Sequence, residues 1–171
     1  MDAYVVRVPA RESAQLRSAS VVRAVIDEAR HAAGDRFVSL ADDWAALHFL
    51  LSGDVPMPKH EALAHGLNWS DDSTTNVLMG GEPLPRDGGF GPARLLPPLV
   101  VARMANKLAS VDPDALLKRF DPRALEEEGI PPVGWTDDAA TRARLRERYS
   151  TLRTLYQNAA DAGDAVLIHI V

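Results

Sequence analysis

The segment that most constrains the fold is a short apolar stretch, residues 43–53, with the sequence DWAALHFLLSG. Trp44, Leu47, His48 and Leu51 recur at i, i+3, i+4 and i+7, so they lie on one face of a helix. Alanine, phenylalanine and leucine fill most of the other faces, and a helix that is apolar on nearly every side is buried rather than laid on a surface. Its roughly ten residues are too few to cross a bilayer. The sequence therefore predicts a central core helix that ends at Gly53.

His48 is the titratable side chain in the middle of this segment. A histidine held in an apolar wall beside Trp44 has a lowered pKa, and the neutral imidazole can act as a base. The alternative is a core histidine whose ring nitrogens hydrogen-bond a carbonyl or a carboxylate. Because no second catalytic group follows at a diagnostic spacing, the core interpretation is favoured.

Composition narrows the class of protein. A length of 171 residues fits a single domain spanning 1–171, and a net charge of −5 argues against a general binder of nucleic acid or anionic membranes. The chain has no cysteine, which excludes disulfides and thiolate metal sites. It also has no signal-peptide pattern and no long apolar span. We expect a soluble cytoplasmic protein without cofactor or metal, and composition leaves its oligomeric state open.

Strand patterns occur at the two ends of the chain. Tyr4, Val6 and Val8 alternate with other residues before Pro9, and residues 165–171 form a continuous apolar run. We expect these strands to pair and bring the termini together. The prediction is an α+β fold, a mostly helical single domain clustered around a small sheet of the N- and C-terminal strands.

Between these strands the pattern is helical for most of the chain. Asp112-Pro113 and Asp121-Pro122 each present an N-cap followed by proline at the first helical position. The predicted helices are 12–17, 21–33, one that begins at Pro97 and Pro98, 113–119, 122–128 and 137–162, the last capped by Thr136. The longest carries an apolar seam of Leu145, Tyr149, Leu152, Tyr156 and Ala159. Its arginine flanks are expected to be solvated, with an acidic partner as the alternative: Arg142, Arg146 and Arg153 on one side, Arg144 and Arg148 on another.

Residues 54–96 lack a clear period. His60 and His65 lie at i and i+5, about 140° apart on a helix, so this HExxH-like string does not predict zinc. Residues 79–96 hold five glycines but neither GxGxxG nor Walker A spacing. They are either an ordered loop pinned by an Arg94–carboxylate pair, which is favoured, or a loop that grips a ligand.

Several motifs occur in a specific order: LHFLLSG (47–53), LMGGEPL (78–84), GFGPARLL (89–96), FDPRALEEEGI (120–130) and the final helix–strand pair. Together they resemble the YfbM-like family of bacterial domains of unknown function over nearly the whole chain. The resemblance implies a compact α+β domain with helices around a small sheet, and it carries no established activity. The chain departs from the family pattern at Asp42, where relatives usually have lysine, and at Pro131, where they usually have tyrosine.

Two functions of different class follow from these patterns. The favoured one is a protein-binding module, an adaptor or an immunity-type neutraliser, because catalytic spacing is missing and two segments are irregular. The alternative is an enzyme or small-ligand binder with a cleft between helix 43–53 and loop 79–96. There His48 is the base, Glu82 a second acid–base group and Arg94 an anion clamp, with Trp44 in the wall.

A third hypothesis is self-association. It rests on Trp69 and Trp135, which lie in proline-rich or irregular sequence and are expected to be exposed.

Overall fold

The computed structural model describes residues 1–32, 34–56, 73–85 and 91–171. Within these ranges the first half of the chain forms β1 (Ala3–Val8), α1 (Ala10–Ser13), α2 (Ala19–His31), β2 (Phe37–Ser39), a 3-10 turn (Ala41–Asp43), α3 (Trp44–Ser52) and α4 (Asn76–Met79). The second half forms β3 (Glu82–Pro83), β4 (Arg94–Leu96), α5 (Pro98–Ser110), α6 (Pro113–Leu117), α7 (Pro122–Glu127), α8 (Ala139–Ala162) and β5 (Ala165–Ile170). Three residues discussed above, His60, His65 and Trp69, lie outside the described residues.

The sheet has five strands in the order β2-β1-β5-β4-β3, and every neighbouring pair is antiparallel. The predicted pairing of the two ends is confirmed, since β1 pairs with β5 over six residues, from Ala3 opposite Ile170 to Val8 opposite Ala165. The predicted α+β class is confirmed with it. The two short strands β3 and β4 lie inside the segment that we predicted as a loop.

Successive residues of a strand face opposite sides of a sheet, and both faces are covered here. One face packs with α3, α5 and α8 in the larger core, where Val5 and Ile168 lie. The other packs with α2 in a smaller core, where Val6 and Leu167 lie. Strands buried on both faces read as continuous apolar runs, which explains the pattern of β5.

Helix α3 is the buried segment that the sequence predicted. Seven of its nine residues are buried, and Trp44 is 1 % exposed. It follows directly on the 3-10 turn and ends at Gly53, whose φ of 79° is the left-handed conformation and whose N–H donates to the carbonyl of Phe49 at 2.7 Å.

Helix α8 confirms the predicted seam, because Leu145, Tyr149, Leu152, Tyr156 and Ala159 are all 0 % exposed. Its start differs from the prediction. Asp138, not Thr136, is the N-cap residue: its carboxylate accepts the N–H of Thr141 at 2.7 Å, so the helix begins at Ala139. The hydroxyl of Thr136 does not cap the helix and donates to the Asp138 carboxylate instead.

The arginine flanks of α8 were predicted to be solvated, but Arg144 and Arg148 on one flank contact the chain near the start of α3. Arg144 donates to the Asp43 carboxylate at 3.0 Å, and Arg148 lies 3.9 Å from the same carboxylate. Arg148 also donates to the carbonyl of Ser39 at 2.7 Å. Although both guanidinium groups remain partly exposed, they attach α8 to the start of α3.

The prediction that Trp135 is exposed is wrong. Its side chain is 7 % exposed, packs edge-on against Phe120 with ring centroids 5.9 Å apart, and donates through Nε1 to the carbonyl of Ile130 at 2.9 Å. The indole N–H found a partner within five residues, which allowed the ring to enter the core.

The burial of Trp44 predicts a large loss of stability on truncation. Trp44→Ala should lower the free energy of unfolding by about 3–5 kcal/mol, through lost transfer energy and the cavity left behind. The matched control is Leu99→Ala on the outer side of α5, where the side chain is 69 % exposed; it should change stability by no more than about 0.5 kcal/mol. Urea unfolding followed by circular dichroism measures both, and equal losses for the two variants would contradict the assignment.

Candidate functional site

Four buried side chains with polar atoms lie on three elements that contact one another, α3, α4 and β4. We call His48, Asn76, Arg94 and Trp44 the interior polar cluster. Their exposures are 2 % for His48, 3 % for Asn76, 4 % for Arg94 and 1 % for Trp44. Trp44 and His48 share one face of α3 as an i, i+4 pair, and α4 packs directly on α3.

Arg94 enters this cluster because of its place in β4. It shares a face of the sheet with Leu96, which belongs to the larger core, and it lies opposite Ile168 of β5. From there its guanidinium donates to the carbonyl of Met79, at the end of α4. The loop is therefore held, in part, by an arginine–carbonyl contact. Burial lowers the pKa of Arg94 to about 10, so it is still a cation at neutral pH.

Two glycines allow the chain to turn between α4 and β3. Gly81 has a φ of 98°, and a Cβ there would lie 2.8 Å from the carbonyl oxygen of Leu95. A Cβ on Gly80 would lie 2.5 Å from the Cβ of Asn76. These glycines are explained by close packing of the hairpin on α4, which places the Met79 carbonyl within reach of Arg94.

His48 is neutral in this environment. Burial lowers the pKa of His48 to about 4; the charge of Asp54 raises it and the charge of Arg94 lowers it further. Its ring Nδ1 is buried and has no hydrogen-bond partner within the described part of the chain. Ser52 donates to the His48 carbonyl at 2.8 Å, so that contact involves the main chain and leaves the ring unaffected.

Glu82 does not join the cluster. In the β3–β4 pair Glu82 lies opposite Leu95, and Pro83 lies opposite Arg94. Directly opposed residues share a face and adjacent ones do not, so the Glu82 side chain is on the face of the sheet away from Arg94. It is exposed there, beside the smaller core to which Leu95 belongs. Of the four candidates, Trp44 and His48 share one face of α3 and the charge of Arg94 acts on His48, whereas Glu82 lies on the opposite face of the sheet from Arg94.

Asn76 is the cluster residue that sequence reasoning missed. It begins a helix of only four residues, at the end of a segment interpreted as irregular. The available signal was the apolar run Val77, Leu78 and Met79 after one amide, which is too short to establish a period. Among the described residues, no group of three or more histidine, aspartate or glutamate side chains is arranged to hold a metal ion.

A family model for a domain of unknown function, DUF1877, matches residues 1–169. The chain belongs to the DUF1877 family. This DUF1877 chain is similar to the crystal structure of YfbM from Escherichia coli, described as a protein of unknown function, with a TM-score of 0.68, 20 % identity and 100 % of both chains covered. The predicted YfbM-like resemblance is thereby confirmed, although at this identity the likeness shows the fold alone. A comparison with curated proteins gives no match. No helix among the described residues of the DUF1877 chain is long and apolar enough to cross a membrane.

The state of His48 predicts a pH dependence of stability. Its pKa is about 4 in the folded chain against 6.5 for an ordinary histidine, so the unfolded chain binds the proton first as pH falls. Stability is therefore full above about pH 6.5 and declines between about pH 6.5 and 4, by up to about 3 kcal/mol from this group. Urea unfolding at a series of pH values should show a shallower decline for His48→Gln than for the wild type. Parallel curves for the two proteins would contradict the assigned pKa.

Proposed function

We propose that this DUF1877 domain binds a small molecule at the interior polar cluster. The observation that supports this most directly is the buried Nδ1 of His48, which has no hydrogen-bond partner in the described part of the chain. A buried polar atom left unpaired costs roughly 1–3 kcal/mol. A ligand that supplies a hydrogen-bonding group at Nδ1 removes that cost.

The cluster limits the chemistry of such a ligand. A neutral imidazole donates from one ring nitrogen and accepts at the other, and His48 is neutral at physiological pH. The charge of Arg94 acts on the same imidazole, and Trp44 lies on the same face of α3 as His48. This combination suits a small planar or compact molecule that has both acceptor and donor groups.

Binding, rather than catalysis, is proposed because the second acid–base group is missing from the cluster. Glu82 faces the opposite side of the sheet from Arg94, and general acid–base catalysis requires both groups within reach of one substrate. The proposal therefore keeps the ligand-binding part of the alternative hypothesis.

We place the protein in the bacterial cytoplasm, supported by the Escherichia coli source of the similar fold and by a sequence without cysteine.

The test follows the His48 ring directly. Protein labelled with 15N on histidine is titrated with the low-molecular-weight fraction of a bacterial lysate, and the ring nitrogens are observed by NMR. We expect His48 Nδ1 to shift in a saturable way. His48→Leu should abolish binding measured by equilibrium dialysis, whereas His31→Leu, at an exposed site on α2, should retain it. A lysate fraction that leaves the His48 signals unchanged at saturating concentration would refute the proposal.

A second candidate function is the protein-binding module, and one surface favours it. Val133 is 94 % exposed, in the loop between Ile130 and Trp135. Both ends of that loop are buried and are joined by the 2.9 Å hydrogen bond from Trp135 to Ile130. An apolar side chain displayed on an anchored loop needs little ordering when a partner protein covers it. The net charge of −5 still argues against nucleic acid as that partner.

A photo-crosslinking residue at position 133 tests this second function inside cells. We expect one discrete crosslinked species from position 133, and an excess of unlabelled wild-type protein should compete it away. Position 99, where Leu99 is 69 % exposed on α5, serves as the matched control and should give none. A product with the mass of two chains would assign the surface to self-association, and the same products from both positions would contradict a specific partner.

A further inference from the structure

A cleft of about 490 Å³ lies between α6 and the first turns of α8, and none of its lining residues belongs to the interior polar cluster. We call it the α6–α8 cleft. Its lining combines charged side chains with small apolar ones: Asp114, Leu117, Lys118, Ala139, Arg142, Ala143 and Arg146. Pockets that hold small molecules have volumes of roughly 300–1,000 Å³, so the cleft has the size of a ligand site.

The cleft is positively charged in a negatively charged chain. Lys118, Arg142 and Arg146 face it with one carboxylate, that of Asp114. Lys118 is exposed and forms no ion pair with any of the described residues. Ala139 and Ala143 also line the cleft, and their side chains are single methyl groups that leave room for an anion beside α8.

Existing contacts hold the two arginines in place. The guanidinium of Arg142 donates to the carbonyl of Leu117 at 2.8 Å and to the Asp137 carboxylate at 2.9 Å, and it lies 5.5 Å from the centre of the Phe120 ring. Arg146 pairs with Asp114 across the cleft. Cations that are already positioned lose less conformational entropy when an anion binds.

We propose that the α6–α8 cleft binds a small phosphorylated molecule. Both arginines already have a carboxylate neighbour, so an incoming carboxylate gains little by exchange with Asp114. A phosphoryl group carries about −1.5 to −2 charges at pH 7 and three acceptor oxygens, and it can contact Arg142, Arg146 and Lys118 together. Arginine matches phosphate oxygens in pairs, while lysine binds them as a point charge.

Inorganic pyrophosphate is the probe for this site, and citrate is the polycarboxylate comparison. Titration at low salt is followed by the side-chain N–H signals of Arg142 and Arg146 in NMR spectra. We expect saturable binding of pyrophosphate with a dissociation constant on the order of 1 mM. Lys118→Ala should weaken binding about fivefold, the effect of one exposed charge contact. Asp114→Asn, which removes the competing carboxylate, should strengthen it by a similar factor.

Arg123→Ala is the matched control, because Arg123 is an exposed cation on α7 outside the cleft. It removes the same charge as Lys118→Ala and should leave pyrophosphate binding unchanged. Equal weakening by both variants would show non-specific attraction and overturn the proposal. Weaker binding by Asp114→Asn, citrate binding as tight as pyrophosphate, or no saturation would overturn it as well. The substituted side chains are exposed, and circular dichroism confirms that each variant is folded before titration.

Discussion

The burial of α3 on every side is the constraint on which the rest of the structure depends. The carboxylate that precedes this buried helix has little access to water, so another element must supply a partner for it. At its start, Asp43 is 4 % exposed. A buried carboxylate is tolerated when it is paired, and the guanidinium of Arg144 at 3.0 Å supplies that pair from a helix about a hundred positions later in the chain. The contacts of Arg144 and Arg148 with Asp43 therefore follow from the burial of that carboxylate.

The two buried tyrosines in the seam of α8 also need hydrogen-bond partners for their hydroxyl groups. The hydroxyl of Tyr149 donates to the carbonyls of Leu108 at 2.8 Å and Val111 at 3.0 Å, at the end of α5. The hydroxyl of Tyr156 donates to the carbonyl of Val77 in α4 at 2.6 Å. Burial raises the pKa of both tyrosines, so they stay protonated and continue to donate. Helix α5 has no glycine at its end, and there the Tyr149 hydroxyl binds the terminal carbonyls. After α3, the N–H of the left-handed Gly53 binds a terminal carbonyl in the same way.

Long elements could be predicted from the sequence because their period is visible over several turns. The seam of α8 and the apolar run of β5 fall in this class, and both have the expected partners. The N-cap of α8 shows the limit of this reasoning: Thr136, Asp137 and Asp138 are all capping residues, and only the hydrogen bond from Thr141 selects Asp138. The two Asp-Pro signals were less ambiguous, since proline fixes the first helical position, and α6 and α7 begin where predicted.

Short strands could not be predicted in this way. β2 and β4 have three residues each and β3 has two, which is too few for an alternation to be recognised. β2 and β4 cover the second edges of β1 and β5, where backbone groups remain unpaired until another strand covers them, and β3 covers the outer edge of β4 in the same way. The position of such a short strand is set by the strand edge that it covers, and its own sequence contains little information that predicts it.

The candidate site illustrates the same limit with a chemical consequence. Sequence proximity suggested that Glu82 and Arg94 flank one cleft, since both belong to one glycine-rich segment. The face on which each side chain lies depends, however, on the register of a two-residue strand, and a shift by one residue exchanges the faces. With Glu82 opposite Leu95, the carboxylate is on the α2 side and the guanidinium on the α3 side. The close fit of Gly81 against Leu95, where a Cβ would come within 2.8 Å of the carbonyl oxygen, opposes any slip of this pairing. One glycine contact thus helps to decide that His48 and Arg94 share the interior without a glutamate beside them.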